Sequence, residues 1–212
     1  MLLSLSRRFI FVANLKSASS AIEIALSEYA EIRLTQTHFG KHDTLSAISR
    51  KFHWTKKHVP PEQFFIFGVL RQPVDFVLSL YNSHTLEAFN NQAQSSRGIS
   101  FDDFWNGWCS TSWQAAPQCA RFKDEHGHLR MTHLVDYDHL EAEFPRICRR
   151  IGVEATLSRA NASPKMLRRR DLSPEQIAAI MERYSGDYEL LKNRPHALGN
   201  AAPEIGEVPR AY

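Results

Sequence analysis

The chain has 212 residues, 43% of them apolar and 23% charged, with a formal net charge of +3. This is long enough for one α/β domain with a full core. The mildly basic balance suits a small anionic ligand and lacks the footprint of a nucleic-acid surface.

Cys109, Cys119 and Cys148 match no zinc or redox spacing, and their odd number argues against a disulfide framework. Reduced thiols in a cytosol are the simple reading. The opening MLLSLSRRF places its arginines after a very short apolar stretch, the reverse of a secretory signal. No run approaches the length of a membrane span. These observations predict a soluble cytoplasmic protein.

In chain order, residues 8–14 read as a continuous apolar strand buried on both faces. Ile22, Ala25, Leu26 and Tyr29 then recur with helical spacing. Residues 31–36 predict a weaker strand. Asp43 or Thr44 caps a short helix carrying Leu45, Ile48 and Phe52. FFIFGVL, residues 64–70, is the clearest strand, and Pro73 suits the first turn of a helix burying Phe76, Val77, Leu80 and Tyr81. Residues 90–99 are small and polar, as in a loop, and Ser100 with Asp103 resembles a capping box. Residues 129–137 predict a strand. The following helix has Leu140, Phe144, Ile147, Cys148 and Ile151 on one stripe and Gly152 at its end. Ser173-Pro174-Glu175 opens a last helix with Ile177, Ile180, Met181 and Tyr184 on one face, and the tail from about 193 lacks periodicity. Strands alternating with helices predict a three-layer α/β/α fold with a mostly parallel sheet, whose ligands sit at the carboxyl ends of the strands.

Two strand-to-helix junctions then fall on one rim. In the first, Lys16-Ser17-Ala18-Ser19-Ser20 joins a cation and hydroxyls to a helix N-terminus, where unpaired N–H groups favour anions. In the second, Arg71 ends a buried strand with a fork suited to phosphate, and Ser79 lies on the helix that follows. Each also has a plain structural reading: a solvated turn, an Arg71–Asp75 pair, a serine bonded within its helix. Together they supply two anion subsites. A glycine-rich triphosphate loop would read G-x-x-x-x-G-K-[ST], and here the glycines are missing and the lysine precedes the hydroxyls. Asp136 is the one aspartate placed where a magnesium-holding group would stand.

These motifs resemble those of sulfotransferases that use 3′-phosphoadenosine 5′-phosphosulfate (PAPS). Lys16-Ser17-Ala18-Ser19-Ser20 resembles the family's loop for the 5′-phosphosulfate. LRQPVDFVLSLY, residues 70–81, resembles the segment whose arginine and serine bind the 3′-phosphate. GKHDTLSAI, residues 40–48, resembles a Lys-His element of one subgroup, with a longer spacing here. LVDYDHLEAEFPRICRRIGV resembles the later strand-helix, Asp138 standing where the family usually has glutamate. ANASPK…LSPEQIAAIMERYSGDYELL resembles the subgroup's C-terminal segment, so the likeness runs over roughly residues 8–191.

The resemblance implies a phosphate-loop-like fold, one sulfotransferase domain over residues 1–192 and a loose tail over 193–212. Residues 84–115 would form an acceptor-site or lid insertion. It implies PAPS as co-substrate, 3′,5′-ADP as product, no metal, and a small-molecule or carbohydrate acceptor. Lys16 would stabilise the leaving phosphate oxygen and Lys41 would hold the sulfuryl oxygens. His42 would be the base, with His38 and His84 as rivals. One of Arg168, Arg169 and Arg170, beside Lys165, would close over the 3′-phosphate. The aromatic-rich stretch 101–113 reads either as core or as a pocket for a ring or sugar. A small-molecule kinase using Mg-ATP and a non-catalytic nucleotide-binding module are the competing classes.

Overall fold

The computed structural model describes residues 1–53, 59–90, 92, 94–158, 165–196 and 198. The apolar start of the chain, Leu2–Ser4, is strand β1, and Phe9–Val12 is β2. Helix α1 (Ser19–Leu26) leads to the short strand β3 (Ile32–Arg33). Thr44, one of the two predicted caps, accepts the Ala47 N–H at the start of α2 (Leu45–Lys51). Strand β4 (Phe65–Leu70) runs into α3 (Pro73–His84), with Pro73 in the first turn.

Ser100 caps α4 (Phe101–Asn106), and α5 (Trp108–Thr111) follows. Strand β5 (His133–Asp136) precedes α6 (Leu140–Ile151), which Gly152 ends at φ 68° in the left-handed region that glycine adopts most readily. Ser173 and Gln176 form a capping box at α7 (Pro174–Arg183), and α8 (Ser185–Lys192) closes the helical part.

The sheet order is β3-β1-β2-β4-β5. β2 pairs parallel with β4, and β4 with β5. The sheet as a whole is nevertheless mixed, because β1 runs antiparallel to both β2 and β3. This corrects the mostly parallel sheet read from the sequence, and the cause is local. The tight turn over residues 5–8 folds the chain directly back, which permits only an antiparallel pair, whereas parallel neighbours need a crossover. The Glu31 carboxylate receives the Leu5 and Ser6 N–H groups and so supports that turn.

Strand alternation divides the core between the two faces of the sheet. Phe9, Phe11, Phe65, Phe67, Val69 and Val135 pack against α1 and the predicted stripe of α6. Ile10, Val12, Ile66, Leu70 and Leu134 face α2, Phe122 and Leu191 of α8. A third cluster joins α3 to α4, α5 and α7, and it includes Phe101 and Phe104. Trp105 and Trp108 pack against the same cluster, so much of the aromatic-rich stretch is core. Met181, expected on the buried face of α7, is exposed.

Of the C-terminal stretch from 193 onwards, residues 193–196 and 198 are described, and Pro195 and His196 lie along β5. Leu134 N–H donates to the Pro195 carbonyl at 2.9 Å, and Leu198 is buried. The rest of that stretch lies outside the described residues. No described helix is long and apolar enough to cross a membrane.

Gly68 lets the sheet receive the Phe122 ring. A Cβ there would lie 2.7 Å from Phe122 Cε1 and 3.2 Å from the Val12 carbonyl oxygen. Phe122 is fully buried and cannot step aside cheaply. Gly68→Ala is therefore expected to lower stability by about 1–3 kcal/mol, read as a fall in the urea midpoint at unchanged m-value.

Candidate functional site

The first junction is shaped by buried side-chain amides. Asn14, fully buried just past β2, donates from Nδ2 to the Val69 carbonyl at 3.1 Å and to Gln118 Oε1 at 2.8 Å. Its Oδ1 accepts the Leu15 N–H, and its carbonyl accepts the Ser17 hydroxyl at 2.9 Å. The Ser17 hydroxyl is thus spent inside the turn.

Lys16 and Ala18 both lie in the left-handed region, at φ 55° and 57°. They turn the chain where a phosphate loop would use glycine. Ala18 is the N-cap of α1, and no side chain caps that helix. Its first turn holds no acidic residue either. Helices α2, α4 and α7 are all capped by Thr44, Ser100 and Ser173. The leading N–H groups of α1 therefore remain for an anion.

The second junction lies beside the first because β2 and β4 are parallel neighbours. Gln118 holds it from both sides, accepting the Arg71 N–H at 3.1 Å and donating Nε2 to the Arg71 carbonyl at 2.8 Å. Gln118 is fixed in turn by Asp187, whose carboxylate accepts from Gln118 N and Nε2 and from Cys119 N. Burial pushes the Asp187 carboxyl up, while these donors pull it down.

The Arg71 guanidinium lies 4.4 Å from the centre of the Tyr137 ring and donates from Nη1 to the Lys16 carbonyl at 3.0 Å. Its Nε is buried without a partner among the described residues. No ion pair joins it to Asp75 among the described residues, nor is the Ser79 hydroxyl bonded within α3.

One cleft of about 860 Å³ joins the two junctions. Lys16, Ser17, Ala18, Ser19 and Ser20 line one part, and Arg71 and Ser79 another. Lys41, His42, Lys165, Arg168 and Arg169 also face it, whereas Arg170 is exposed outside the lining, 3.8 Å from Asp171. Asn82 on α3 brings the late basic segment in, donating Nδ2 to the Leu167 carbonyl and accepting the Leu167 N–H, both at 2.8 Å.

The cations differ in their state. The Lys16 ammonium has no counter-ion among the described residues, and burial, then the nearby Arg71, pushes its pKa down to about 8. Lys41 is committed, with Nζ at 2.7 Å from both Ser20 Oγ and Glu23 Oε2. His42 Nδ1 lies 3.0 Å from the Ala13 carbonyl, so Nδ1 carries the proton and Nε2 the lone pair. Burial lowers the His42 pKa to about 4, keeping the ring neutral near pH 7.

Of its rivals, His84 is buried among Phe89, Phe104 and Trp108 with Nδ1 unpartnered among the described residues, and His38 packs edge-on against Phe39. Neither lines the cleft. Asp136 does not line it either: its side chain accepts the Asp138 N–H at the end of β5.

Sequence reasoning missed Asn14, Gln118, Asn82 and Tyr137. Asn82 alone left a usable signal, since it follows Asp75 and Ser79 on one helical face. No family model, curated protein or solved structure matches the chain.

A bound anion stabilises the Lys16 cation, so binding above pH 8 takes up a proton. Affinity for pyrophosphate, or for 3′,5′-ADP, is expected to be steady at pH 7–7.5. It then falls towards the limit of about tenfold per pH unit as pH rises through the Lys16 value. Titration calorimetry across pH 7–9.5 checks this, and Lys16→Met should remove the slope.

Proposed function

We propose that the chain is a sulfotransferase that moves a sulfuryl group from PAPS to a hydroxyl or amine of a small-molecule or carbohydrate acceptor, releasing 3′,5′-ADP. The observation that carries this reading is the cleft shared by two anion-seeking junctions, whose cations Lys16 and Arg71 have no carboxylate partner among the described residues. A ligand with a phosphosulfate at one end and a 3′-phosphate at the other matches that pattern. The parallel run β2-β4-β5, with α1 and α3 leaving its carboxyl end, supports a phosphate-loop-like sulfotransferase fold to which β1 and β3 are added.

In this reading the α1 N-terminus, Lys16 and the Ser19 and Ser20 hydroxyls take the phosphosulfate. Arg71 and Ser79 take the 3′-phosphate, and Lys165, Arg168 and Arg169 approach it from the segment held by Asn82. His42 Nε2 accepts the acceptor's proton as the new bond to sulfur forms. The bond from sulfur to the bridging oxygen breaks, and the Lys16 ammonium stabilises the charge left on the phosphate. Lys41, tied to Glu23 and Ser20, braces the α1 N-terminus and lends its charge to the sulfuryl oxygens.

Titration with 3′,5′-ADP in the absence of magnesium tests the donor site. Binding there, tighter than for 5′-ADP, supports the proposal, and selective binding of Mg-ATP would favour a kinase instead. Removing one hydrogen bond to a charged group costs about 1.5–3 kcal/mol. Ser79→Ala is therefore expected to weaken 3′,5′-ADP by roughly 10- to 100-fold while leaving 5′-ADP nearly unchanged. Equal losses for both nucleotides would contradict the assignment.

His42→Ala is expected to keep 3′,5′-ADP affinity and to cut turnover about 10²–10⁴-fold, measured by mass spectrometry over an acceptor panel with PAPS. Full activity in that variant would place the base elsewhere. Donor binding without turnover of any acceptor would leave a nucleotide-binding module.

A further inference from the structure

Away from the cleft, two histidines and a glutamate converge where the C-terminal stretch meets the sheet. His133 in β5 is fully buried, Glu143 on α6 is buried, and His196 forms an isolated antiparallel bridge to His133. His133 Nε2 lies 2.8 Å from Glu143 Oε2, and His196 Nδ1 lies 3.8 Å from the same oxygen. One ligand atom from each residue falls within 4.8 Å of the others.

We propose that His133, Glu143 and His196 form a binding site for a borderline divalent cation of the Zn²⁺ type, which fastens the C-terminal stretch to the sheet. Two imidazoles and a carboxylate are a donor set that zinc favours. Tetrahedral bonds of about 2.0–2.1 Å place ligand atoms about 3.3 Å apart. The two separations from Glu143, 2.8 and 3.8 Å, bracket that value, and the ligand atoms of the two imidazoles lie within 4.8 Å of each other. The His196 side chain is 42% exposed, so its rotation can draw it in towards both partners and its side of the site can admit a metal-bound water.

One cation acting on His133 is Arg146, also on α6. Its Nη2 donates to the Leu198 carbonyl at 2.6 Å. The stretch already has that bond and the Leu134 to Pro195 bond along β5, so the metal would complete a clamp that holds it there. The site shares no residue with the anion cleft and stands independently of the sulfotransferase reading.

The experiment uses the full chain after chelator treatment. Zn²⁺ is titrated in competition with a chromophoric chelator, and Co²⁺ is added separately to read the absorption of a four-coordinate centre. One equivalent is expected to bind. His196→Ala, at a half-exposed position, should weaken Zn²⁺ by more than the roughly 10- to 100-fold that an outer-shell partner costs. It should also abolish the cobalt bands.

The exposed pair His126 and His128 is the control, because their rings lie 6.3 Å apart and can hold metal adventitiously. A His126→Ala/His128→Ala double variant is expected to bind like the unaltered protein. No binding, unchanged affinity in His196→Ala, or loss of binding in the double variant would each overturn the proposal.

Discussion

The Asn14 and Gln118 side chains meet in the interior at 2.8 Å, and both cation-bearing turns hang from that contact. Asn14 ties the exit of β2 to the exit of β4 through the Val69 carbonyl. Gln118 grips the Arg71 backbone by both its N–H and its carbonyl. Asp187 anchors Gln118 from α8. A buried amide left unsatisfied is costly, so such a network holds only one arrangement well. The position of Lys16 relative to Arg71 is therefore a property of the core rather than of a surface loop.

That anchoring explains how the loop manages without glycine. Left-handed backbone at a residue with a Cβ costs roughly 1–2 kcal/mol, and both Lys16 and Ala18 are in it. The Ser17 hydroxyl bonded to the Asn14 carbonyl and the Arg71 guanidinium bonded to the Lys16 carbonyl hold the strained turn in place. In return the first turn of α1 is left uncapped and turned towards the cleft. Local strain set beside unused donors is a pattern of binding sites rather than of packing.

Charge is distributed to the same end. Lys41 and Lys51 are each matched with a carboxylate, Glu23 and Asp43. Lys16 and Arg71 are brought together half-buried without one, and their mutual repulsion adds to the desolvation of Lys16. Such a pair is stabilised by an incoming anion more than an exposed pair would be, since burial weakens screening. His42 is kept neutral by burial and oriented by the Ala13 carbonyl, so the positive charge of the cleft resides in its lysines and arginines, which outnumber Asp75 and Asp138 in the lining.

The amino-acid sequence determined the elements and the outline of the site. Continuous apolar runs marked β2 and β4, capping residues marked α2, α4 and α7, and Lys16, Ser19, Ser20, Arg71 and Ser79 showed themselves by type and by their place after a strand. These are local signals, carried by neighbours in the chain. Tertiary structure alone decided that β3 pairs with β1 at the edge of the sheet, that Arg170 stays outside the cleft while Arg168 and Arg169 line it, and that Asn82 holds their segment across α3. It also decided that Asn14, Gln118 and Asp187 meet. Each of these outcomes depends on contacts between residues far apart in the chain, and a hydrogen bond across such a distance leaves no periodicity or spacing for the sequence to display.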